Sequence, residues 1–425
     1  MREMLYERWQ MVSRMYRSEV ALRDLGTGQT WTFGALAEEA ERGSNQATPG
    51  VVYPQGATAG FVLEVLRAWR NGHIVCPLEA GQAPPKNLPP PPPQIVHLKT
   101  TSATTGQARL VAMTAPQLIA DAENIVQTMG LRPEWPNLAV ISLAHSYGFS
   151  NLITPLLLHG IPLALVPAPL PEVVRQAAAS LPAITLAAVP ALWRAWHDAA
   201  SLPGNIQLAI SAGAPLQLSL EQEIFNRHGL KLHNFYGSSE CGGIAYDRAS
   251  EPRSDAAMIG QPMENVRLSV DSDGCLEVRG AAVAETYWPE AEPNLGNGCF
   301  RTSDLVEFKE GLIYLRGRMG DQINVAGRKI SPEAVERIIA AHPEVRECLV
   351  FGVPSQDPAR VEEIVACVAA KGAVAAETLK QFLLAQLPAW QVPREWWFVN
   401  ALEASQRGKL SRHEWRKKYL LRAES

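Results

Sequence analysis

Four short segments carry hydroxyl, carboxylate or basic side chains at spacings that could bind a nucleotide. The first, residues 100–109, reads TTSATTGQAR, a run of hydroxyls followed by a glycine and Arg109. Hydroxyls and free backbone N–H groups in such a loop can surround phosphate oxygens, and an arginine adds positive charge. The glycine–lysine pattern of Walker loops is absent, and a Ser/Thr-rich surface turn is the alternative interpretation.

The second segment, residues 234–240, reads NFYGSSE and begins within a predicted strand, residues 231–235. It offers an aromatic ring, a glycine turn, two hydroxyls and a carboxylate. These groups could stack on a base, bind a phosphate and hold Mg²⁺ through Glu240, because Mg²⁺ prefers carboxylate and phosphate oxygens. The alternative is a strand-end turn that caps a helix.

Two further segments lie in the second half of the chain. Residues 300–304 read FRTSD, and an acidic residue at a strand end, Asp304, could accept both hydroxyls of a ribose. Arg318 could donate to the same ribose hydroxyls or pair with a phosphate. Residues 407–412 read RGKLSR and place Lys409 after a glycine in a basic tail, where a lysine is usually only solvated.

Composition excludes several classes of protein. The chain has 425 residues, of which 47% are hydrophobic, and a net charge of -4, whereas nucleic-acid-binding proteins normally carry a basic excess. None of the six cysteines forms a CxxC pair, and scattered cysteines are typical of a reducing cytosol. No apolar run approaches the ~18 residues of a membrane span. We therefore expect a cytoplasmic protein with no nucleic-acid partner and no membrane span.

The elements that must position these segments alternate between strand and helix. Strands are predicted at 74–78, 94–100, 138–142, 183–189, 207–211 and 231–235, with helices at 59–69 and 115–129. This alternation predicts a layered α/β domain with a largely parallel sheet. After about residue 260, short strands at 266–270, 275–278, 305–308 and 312–315 precede a helix at 332–341, strands at 348–353 and 363–368, and a helix at 376–387.

The four segments together, in this order, resemble the superfamily of adenylate-forming enzymes: acyl-CoA synthetases, nonribosomal-peptide adenylation domains and firefly luciferase. The resemblance runs from ALRDLGTGQTWTFGAL near residue 21, through LRGRMGDQINVAGRKISPEAVE, to the RGK of the tail, and so covers nearly the whole chain. It implies a large N-terminal α/β domain of several subdomains, residues 1–318, and a small, mobile C-terminal α/β domain, residues 319–425.

The resemblance implies that the chain binds ATP and Mg²⁺. Tyr236 would stack on adenine, Glu240 would bind the metal, and Asp304 and Arg318 would hold the ribose. Lys409 would neutralise charge at the α-phosphate during adenylation, although the family's leader before it is changed here to LEAS. The other ATP- and AMP-binding positions would be Thr101, Ser102, Thr104, Thr105, Gly106, Arg109 (where the family usually has lysine), Gly213, Ala214, Gly237 and Ser239.

The resemblance also locates the acyl-binding residues. His145 matches a family position at the acyl pocket, with a core histidine as the alternative, and Tyr147 and Ser211 would line the same pocket. Residues 143–147, LAHSY, lack the aspartate that amino-acid-activating domains place in this region. A desolvated ammonium without a counter-charge would be costly, so a fatty or aryl acid is favoured as the substrate.

The implied reaction has two steps. A carboxylic acid and ATP would form an acyl-AMP, and the acyl group would then pass to the phosphopantetheine thiol of CoA or of an acyl carrier protein. Gly320 would be the pivot for rotation of the C-terminal domain, and Gly327 would line the path of the thiol. Two alternatives remain: an amino-acid-activating module, and a non-catalytic nucleotide-binding scaffold.

Overall fold

The structure is a computed structural model that describes residues 4–42, 50–86, 88–100, 109–357, 360–403 and 411–423. Within these residues the helices are α1 Met4–Met15, α2 Phe33–Glu41, α3 Ala59–Arg70, α4 Ala115–Met129, α5 Ser146–Gly148, α6 Thr154–His159, α7 Pro171–Ala179, α8 Pro190–Asp198, α9 Leu218–His228, α10 Pro332–Ala340, α11 Ala376–Leu384 and α12 Arg412–Ala423. A π-helical turn, Phe149–Ile153, joins α5 to α6, and 3₁₀ turns cover Met319–Asp321 and Ala389–Gln391.

The strands within the same residues are β1 Val20–Asp24, β2 Gln29–Thr32, β3 Val51–Val52, β4 Ile74–Val75, β5 Ile95–Thr100, β6 Leu110–Thr114, β7 Asn137–Ala139, β8 Leu163–Leu165, β9 Ile184–Ala188, β10 Ile206–Ser211, β11 Leu232–Ser238, β12 Gly242–Tyr246, β13 Met258–Pro262, β14 Arg267–Val270, β15 Cys275–Arg279, β16 Thr286–Trp288, β17 Leu295–Gly296, β18 Cys299–Lys309, β19 Leu312–Arg318, β20 Ile323–Val325, β21 Arg328–Ile330, β22 Val345–Pro354, β23 Glu362–Ala370 and β24 Glu395–Val399.

The chain divides into two compact units. The first comprises Met1–Ser254, Ile259–Ser269 and Glu277–Arg301, and the second comprises Asp255–Met258, Val270–Leu276 and Thr302–Ser425. The predicted α/β class, with a large N-terminal part and a smaller C-terminal part, is confirmed. The predicted boundary between residues 318 and 319 stays a prediction.

The first unit contains a largely parallel sheet. β8, β7, β9, β10 and β11 pair in parallel in that order, and β12 and β13 extend the sheet in antiparallel fashion. Every residue of β7, β8 and β9 is buried, as expected for a parallel sheet that is covered on both faces. In α8, Trp193 and Trp196 are fully buried and pack edge to face with ring centroids 5.4 Å apart. Their indole N–H groups donate to backbone carbonyls, which satisfies the polar atom of each ring.

A second sheet of the same unit has the order β16-β6-β5-β4-β3. Its core consists of apolar residues such as Ile95, Leu98 and Leu110. β5 and β6 pair in antiparallel fashion, and α4 follows β6 directly. Thr114 begins α4 with a capping box, in which Gln117 accepts from the Thr114 backbone N–H at 2.8 Å. Residues 101–108, between β5 and β6, lie outside the described residues.

The second unit packs α10 and α11 on the antiparallel pair β22 and β23, with β24 added in parallel. Its core includes Ile323, Val335, Val350 and Leu379. Ser331 directly precedes α10, but its hydroxyl donates to Glu333 at 2.7 Å and does not cap the helix. Within the described residues, no helix is both long and apolar enough to cross a membrane.

Several strands and helices begin or end at residues other than those predicted, for local reasons. The helix α4 has the predicted limits, whereas β18 extends on both sides of the predicted 305–308. β7 ends at Ala139 instead of residue 142, and Ser142 leaves the sheet to donate to the Glu79 carboxylate at 2.9 Å. The helix α11 ends at Leu384 and not at residue 387, because the residue before Pro388 is disfavoured in helical geometry.

A cluster of buried charges fixes the start of β11. Lys231, which is 8% exposed, bonds to Glu221 of α9 and to Asp247, whose Oδ2 lies 2.7 Å from Nζ. Arg253 donates to the other oxygen of Glu221 at 2.8 Å. Each buried charge therefore has an opposite charge beside it.

Lys231→Met should lower the free energy of unfolding by about 3–5 kcal/mol, because it leaves buried carboxylates with one cation fewer. Urea denaturation followed by circular dichroism measures this loss. Lys380→Met removes an exposed partner of Glu377 and is the matched control, with little change expected. Equal midpoints for the two variants would show that the buried cluster contributes no more than a surface pair.

Candidate functional site

The carboxyl ends of β10 and β11 lie at the same edge of the parallel sheet. Ser211 pairs with Asn234 in the register of these two strands. Gly213 follows β10 with φ +85°, a left-handed conformation that favours glycine. At the end of β11, Tyr236 is half-buried and Gly237 exposed. This edge, outside the carboxyl ends of parallel strands, is where open α/β sheets bind ligands.

Glu240 follows β11 and is held by neutral groups. The Tyr287 hydroxyl donates to Glu240 Oε1 at 3.0 Å, and the Glu240 backbone N–H donates to Ser238 Oγ at 3.2 Å. Burial, and then the Glu240 charge, raise the pKa of Tyr287, so its hydroxyl stays protonated as a donor. Among the described residues no basic side chain forms an ion pair with Glu240, which leaves this carboxylate able to bind a cation.

No group of three metal-ligating side chains occurs in the described part of the chain. Mg²⁺ usually binds through one or two carboxylates and the phosphates of the substrate, and the Glu240 carboxylate fits this ion.

The segment 145–148 lies against the turn that carries Glu240. Ser239 Oγ donates to Ser146 Oγ at 3.1 Å, which joins two segments that are 93 residues apart in sequence. His145 caps α5, since its Nδ1 accepts from the Tyr147 backbone N–H at 3.3 Å. The Tyr147 ring lies 5.9 Å from that of Phe235. The structure therefore brings the predicted residues Ser239, His145 and Tyr147 together.

Two buried hydroxyls, Tyr147 OH and Ser211 Oγ, have no hydrogen-bond partner among the described residues. Burial, and then the neighbouring Tyr246, raise the pKa of Tyr147, so the group remains a neutral donor. Buried polar groups are normally paired, so hydroxyls of this kind suit contact with a polar ligand or with water. Both positions are those predicted for the acyl pocket.

Close backbone packing fixes the shape of this region. A Cβ on Gly148 would lie 1.9 Å from the carbonyl oxygen of Ser142. Real Cβ atoms do not approach a backbone oxygen so closely, so residue 148 must be glycine for the last residue of α5 to pack on Ser142. The helix α5 is thereby set against the segment that follows β7.

Arg109 is engaged with other side chains of the first unit. Its guanidinium lies 2.5 Å from Glu292 Oε1 and 5.7 Å from the centre of the Tyr287 ring. Tyr287 therefore contacts both Arg109 and Glu240. No local sequence pattern indicates Tyr287 or Glu292, because the pairing of β16 with β6 brings this region to Arg109 across more than 170 residues.

In the second unit, the two predicted ribose-binding residues are neighbours. Asp304 of β18 and Arg318 of β19 are register partners, and Arg318 Nε donates to Asp304 Oδ1 at 2.8 Å. Asp304 is 8% exposed, and its backbone N–H donates to Thr302 Oγ1 at 3.0 Å. Antiparallel pairing thus delivers a fixed carboxylate beside a guanidinium.

The predicted hinge and thiol-path glycines occupy turns of the second unit. Gly320 lies in the 3₁₀ turn Met319–Asp321, and Gly327 lies between β20 and β21 with φ +81°. The Gly327 N–H donates to Asn324 Oδ1 at 2.9 Å. A Cβ at either glycine would meet no described atom within 4 Å. Space is therefore available at both positions, but only Gly327 has backbone geometry that disfavours side chains.

Arg412 forms an ion cluster that the sequence reading did not single out. Its guanidinium lies 2.6 Å from Asp321, 2.8 Å from Glu333 and 3.0 Å from Glu336, and its Nε donates to the Val350 carbonyl at 2.9 Å. Burial alone would lower the pKa of Arg412, but the surrounding carboxylates raise it. The sequence contains one sign of this cluster, which is a pair of carboxylates one turn apart near the start of α10, at positions 333 and 336.

Lys409 precedes Arg412 by three residues in the sequence. Six predicted site residues lie outside the described residues: Thr101, Ser102, Thr104, Thr105, Gly106 and Lys409.

Two family sequence models match this chain. The sequence model described as AMP-binding enzyme matches residues 64–288, and that described as AMP-binding enzyme C-terminal domain matches residues 334–409. The first match covers 225 of the 425 residues, more than half of the chain.

Similar characterised proteins are ligases. The 2,3-dihydroxybenzoate-AMP ligase of Bacillus subtilis is 28% identical over 360 residues, which are 79% of this chain and 66% of that protein. The anthranilate–CoA ligase of Pseudomonas aeruginosa is 31% identical over 271 residues, 58% of this chain and 52% of that protein. A long-chain-fatty-acid–CoA ligase of Escherichia coli O157:H7 is 28% identical over 348 residues, 76% of this chain and 62% of that protein. The chain thus spans about half to two thirds of the length of these relatives.

Solved structures share the fold. ATP-bound MatB from Rhodopseudomonas palustris gives a TM-score of 0.84 at 18% identity, covering 97% of this chain and 99% of that chain. The o-succinylbenzoate CoA synthetase MenE from Bacillus subtilis, in complex with its acyl-adenylate intermediate, gives 0.83 at 18% identity, covering 96% and 97%.

Gly148→Ala should lower the free energy of unfolding by about 1–3 kcal/mol, because the new methyl forces the loop away from the Ser142 carbonyl. Gly204→Ala is the matched control, since a Cβ there meets nothing within 4 Å. Urea denaturation compares the two variants with the unmodified chain, and the control should stay within about 0.5 kcal/mol. If Gly148→Ala were as stable as the control, the close approach would not constrain this loop.

Proposed function

We propose that this chain, which belongs to the AMP-binding enzyme family, is an acid–thiol ligase that activates a carboxylic acid with ATP. The chain carries both parts of the family, and its first unit sets Ser239 and Glu240 against His145 and Tyr147. The observation that carries the proposal is this contact between the turn predicted to bind phosphate and the segment predicted to bind the acid. In the proposed site, the α-phosphate of the nucleotide would thereby lie beside the acid.

In the first step, a carboxylate oxygen would attack the α-phosphorus of ATP, and pyrophosphate would leave. Tyr236 would stack on adenine, and Asp304 with Arg318 would hold the ribose. Glu240 would bind Mg²⁺, which supplies positive charge to the phosphate oxygens when it is bound. Lys409 would neutralise the extra negative charge that develops at phosphorus, where an electrostatic contact has its largest effect.

In the second step, a phosphopantetheine thiol would attack the acyl carbonyl, and AMP would leave with the bonding electron pair. Both CoA and an acyl carrier protein are proposed as acceptors of the acyl group. The basic side chains of α12 offer limited support for docking an acidic partner. Arg416 and Lys418 already pair with Glu362 and Glu403, at 3.7 and 2.8 Å.

The acid is proposed to be an aryl or fatty acid. No acidic residue lies in segment 143–147 to pair with the ammonium of an amino acid. The names of two relatives specify aryl acids, and a third specifies long-chain fatty acids. All six cysteines are free thiols, which supports a reducing, cytoplasmic location.

The test is acid-dependent pyrophosphate exchange over a panel of aryl, fatty and amino acids. Exchange with aryl or fatty acids supports the proposal. Exchange with amino acids alone would indicate the amino-acid-activating alternative. Nucleotide binding without exchange for any acid would indicate the non-catalytic scaffold.

Lys409→Ala should lower the exchange rate by a hundredfold or more, on the order of 2.7–4 kcal/mol, because the charge acts at the transition state. Thioester formation from supplied acyl-AMP should decline far less. Lys371→Ala, at an exposed lysine of the same unit, is the control. Undiminished exchange in Lys409→Ala would overturn the role of this lysine.

Gly320→Pro should retain pyrophosphate exchange but largely lose thioester formation, if Gly320 is the pivot between the two steps. Proline fixes φ near about -65° and prevents the backbone from taking a second conformation. Gly320→Ala is the matched control, because a Cβ at this position meets no described atom within 4 Å. Normal thioester yield in Gly320→Pro would contradict a required rotation at this residue.

Gly327→Leu would test obstruction of the thiol's path, but its positive φ strains any side chain at this position. Gly327→Ala carries the same strain with little bulk. Loss of thioester formation in the leucine variant alone therefore supports obstruction, and equal loss in both variants indicates backbone strain.

A further inference from the structure

Asp121 is a fully buried carboxylate on the apolar face of α4. Its neighbours on that face, Leu118, Ala122 and Ile125, are also fully buried. A charge in such a stripe is costly unless it is paired and hydrogen-bonded. The position of Asp121 therefore calls for partners that other segments must supply.

Three other segments of the chain supply the partners of Asp121. Lys99 Nζ lies 3.6 Å from Asp121 Oδ2, and Ser150 Oγ donates to the same oxygen at 2.6 Å. The Gly243 backbone N–H donates to Asp121 Oδ1 at 3.3 Å. Lys99 also donates to Ser150 Oγ at 3.4 Å, which closes the network. Lys99 and Ser150 are 3% and 4% exposed, so water does not replace these contacts.

The partners come from parts of the chain that carry the candidate site. Ser150 lies in the helical turn directly after α5, which begins with Ser146 and Tyr147. Gly243 lies three residues after Glu240, at the start of β12. Lys99 is the penultimate residue of β5. One carboxylate thus contacts the helical turn that follows the predicted acyl-binding segment and the strand that follows Ser239 and Glu240.

The turn also packs directly on this carboxylate. A Cβ on Gly242 would lie 1.9 Å from Asp121 Oδ1, and Gly242 has φ +67°. A Cβ on Gly237 would in turn lie 2.6 Å from the Gly242 carbonyl oxygen. The backbone of the turn therefore packs directly against Asp121, and no side chain would fit between them.

We propose that Asp121, neutralised by Lys99, is a positioning residue that sets Ser239 and Glu240 at a fixed distance from segment 145–147. Asp121 acts through the Gly243 N–H on one side and through Ser150 on the other. Its place in the reaction rests on the proposed function. The competing account is that Lys99 and Asp121 merely stabilise the core.

Replacement of the whole pair separates these accounts. Lys99→Met with Asp121→Leu puts apolar groups of similar volume into the core, and such exchanges are often neutral for stability. Leucine has no acceptor for the Gly243 N–H or the Ser150 hydroxyl, so positioning should be lost. Lys99→Met with Asp121→Asn also removes the charges but keeps an acceptor oxygen at residue 121.

Asn124→Ala is the control for loss of a buried polar group from the same helix. Asn124 lies one turn further along α4, is 2% exposed and contacts Asn265 at 3.1 Å, away from segment 145–147 and Glu240. It should cost stability without a specific loss of activity in the folded protein.

Hydrogen–deuterium exchange of peptides covering residues 236–246 gives a readout that does not depend on activity. The leucine pair should lose protection there, while the asparagine pair and Asn124→Ala should keep it. Equal protection in the leucine pair and the unmodified chain would overturn the positioning role, whether or not the protein adenylates any acid.

Pyrophosphate exchange on folded protein gives the second readout. The leucine pair should lose roughly a hundredfold in kcat, because a displacement of about 1 Å at reacting groups can cost that much. It should also need more Mg²⁺ for half-maximal exchange. The asparagine pair should retain at least ten times the kcat of the leucine pair. Equal kcat for the two pairs would overturn the proposal, and an unmodified chain inactive with every acid would overturn the proposed function instead.

Discussion

The parallel pairing of β9, β10 and β11 is the constraint on which the first unit depends. It places the ends of successive strands at one edge, so Ser211, Gly213 and Tyr236 meet there although 25 residues separate the first from the last. The residues that determine the shape of this edge lie behind it. The buried charges around Lys231 fix where β11 begins, and the glycines after β11 determine how closely its turn packs.

Elements with strong local signals could be predicted from sequence. The helix α4 has a capping box, a clear apolar face and a terminal glycine, and both of its ends were predicted correctly. For Asp304 and Arg318, the sequence implied only a shared role. The antiparallel pairing of β18 and β19 places the two residues side by side. Six of the predicted site residues lie outside the described residues and stay predictions.

Tertiary partners could not be predicted, because a local sequence pattern does not indicate which distant residue a side chain contacts. Tyr287 reaches Glu240 across 47 residues, and Arg412 reaches Asp321 across 91. Asp121 sits on an apolar helix face, where a sequence reading finds only an interruption of the hydrophobic pattern. In each case a charge that would be costly alone is stabilised by a group from a distant segment.

The Asp304–Arg318 pair bears on the kind of ligand that can occupy its neighbourhood. The two side chains carry opposite charges and are bonded at 2.8 Å, so together they present hydrogen-bonding atoms without net charge. A cluster of cations would attract any anion, including free phosphate. In its proposed role at the ribose, such a pair would discriminate by the geometry of its donors and acceptors, as suits a polyol such as a sugar.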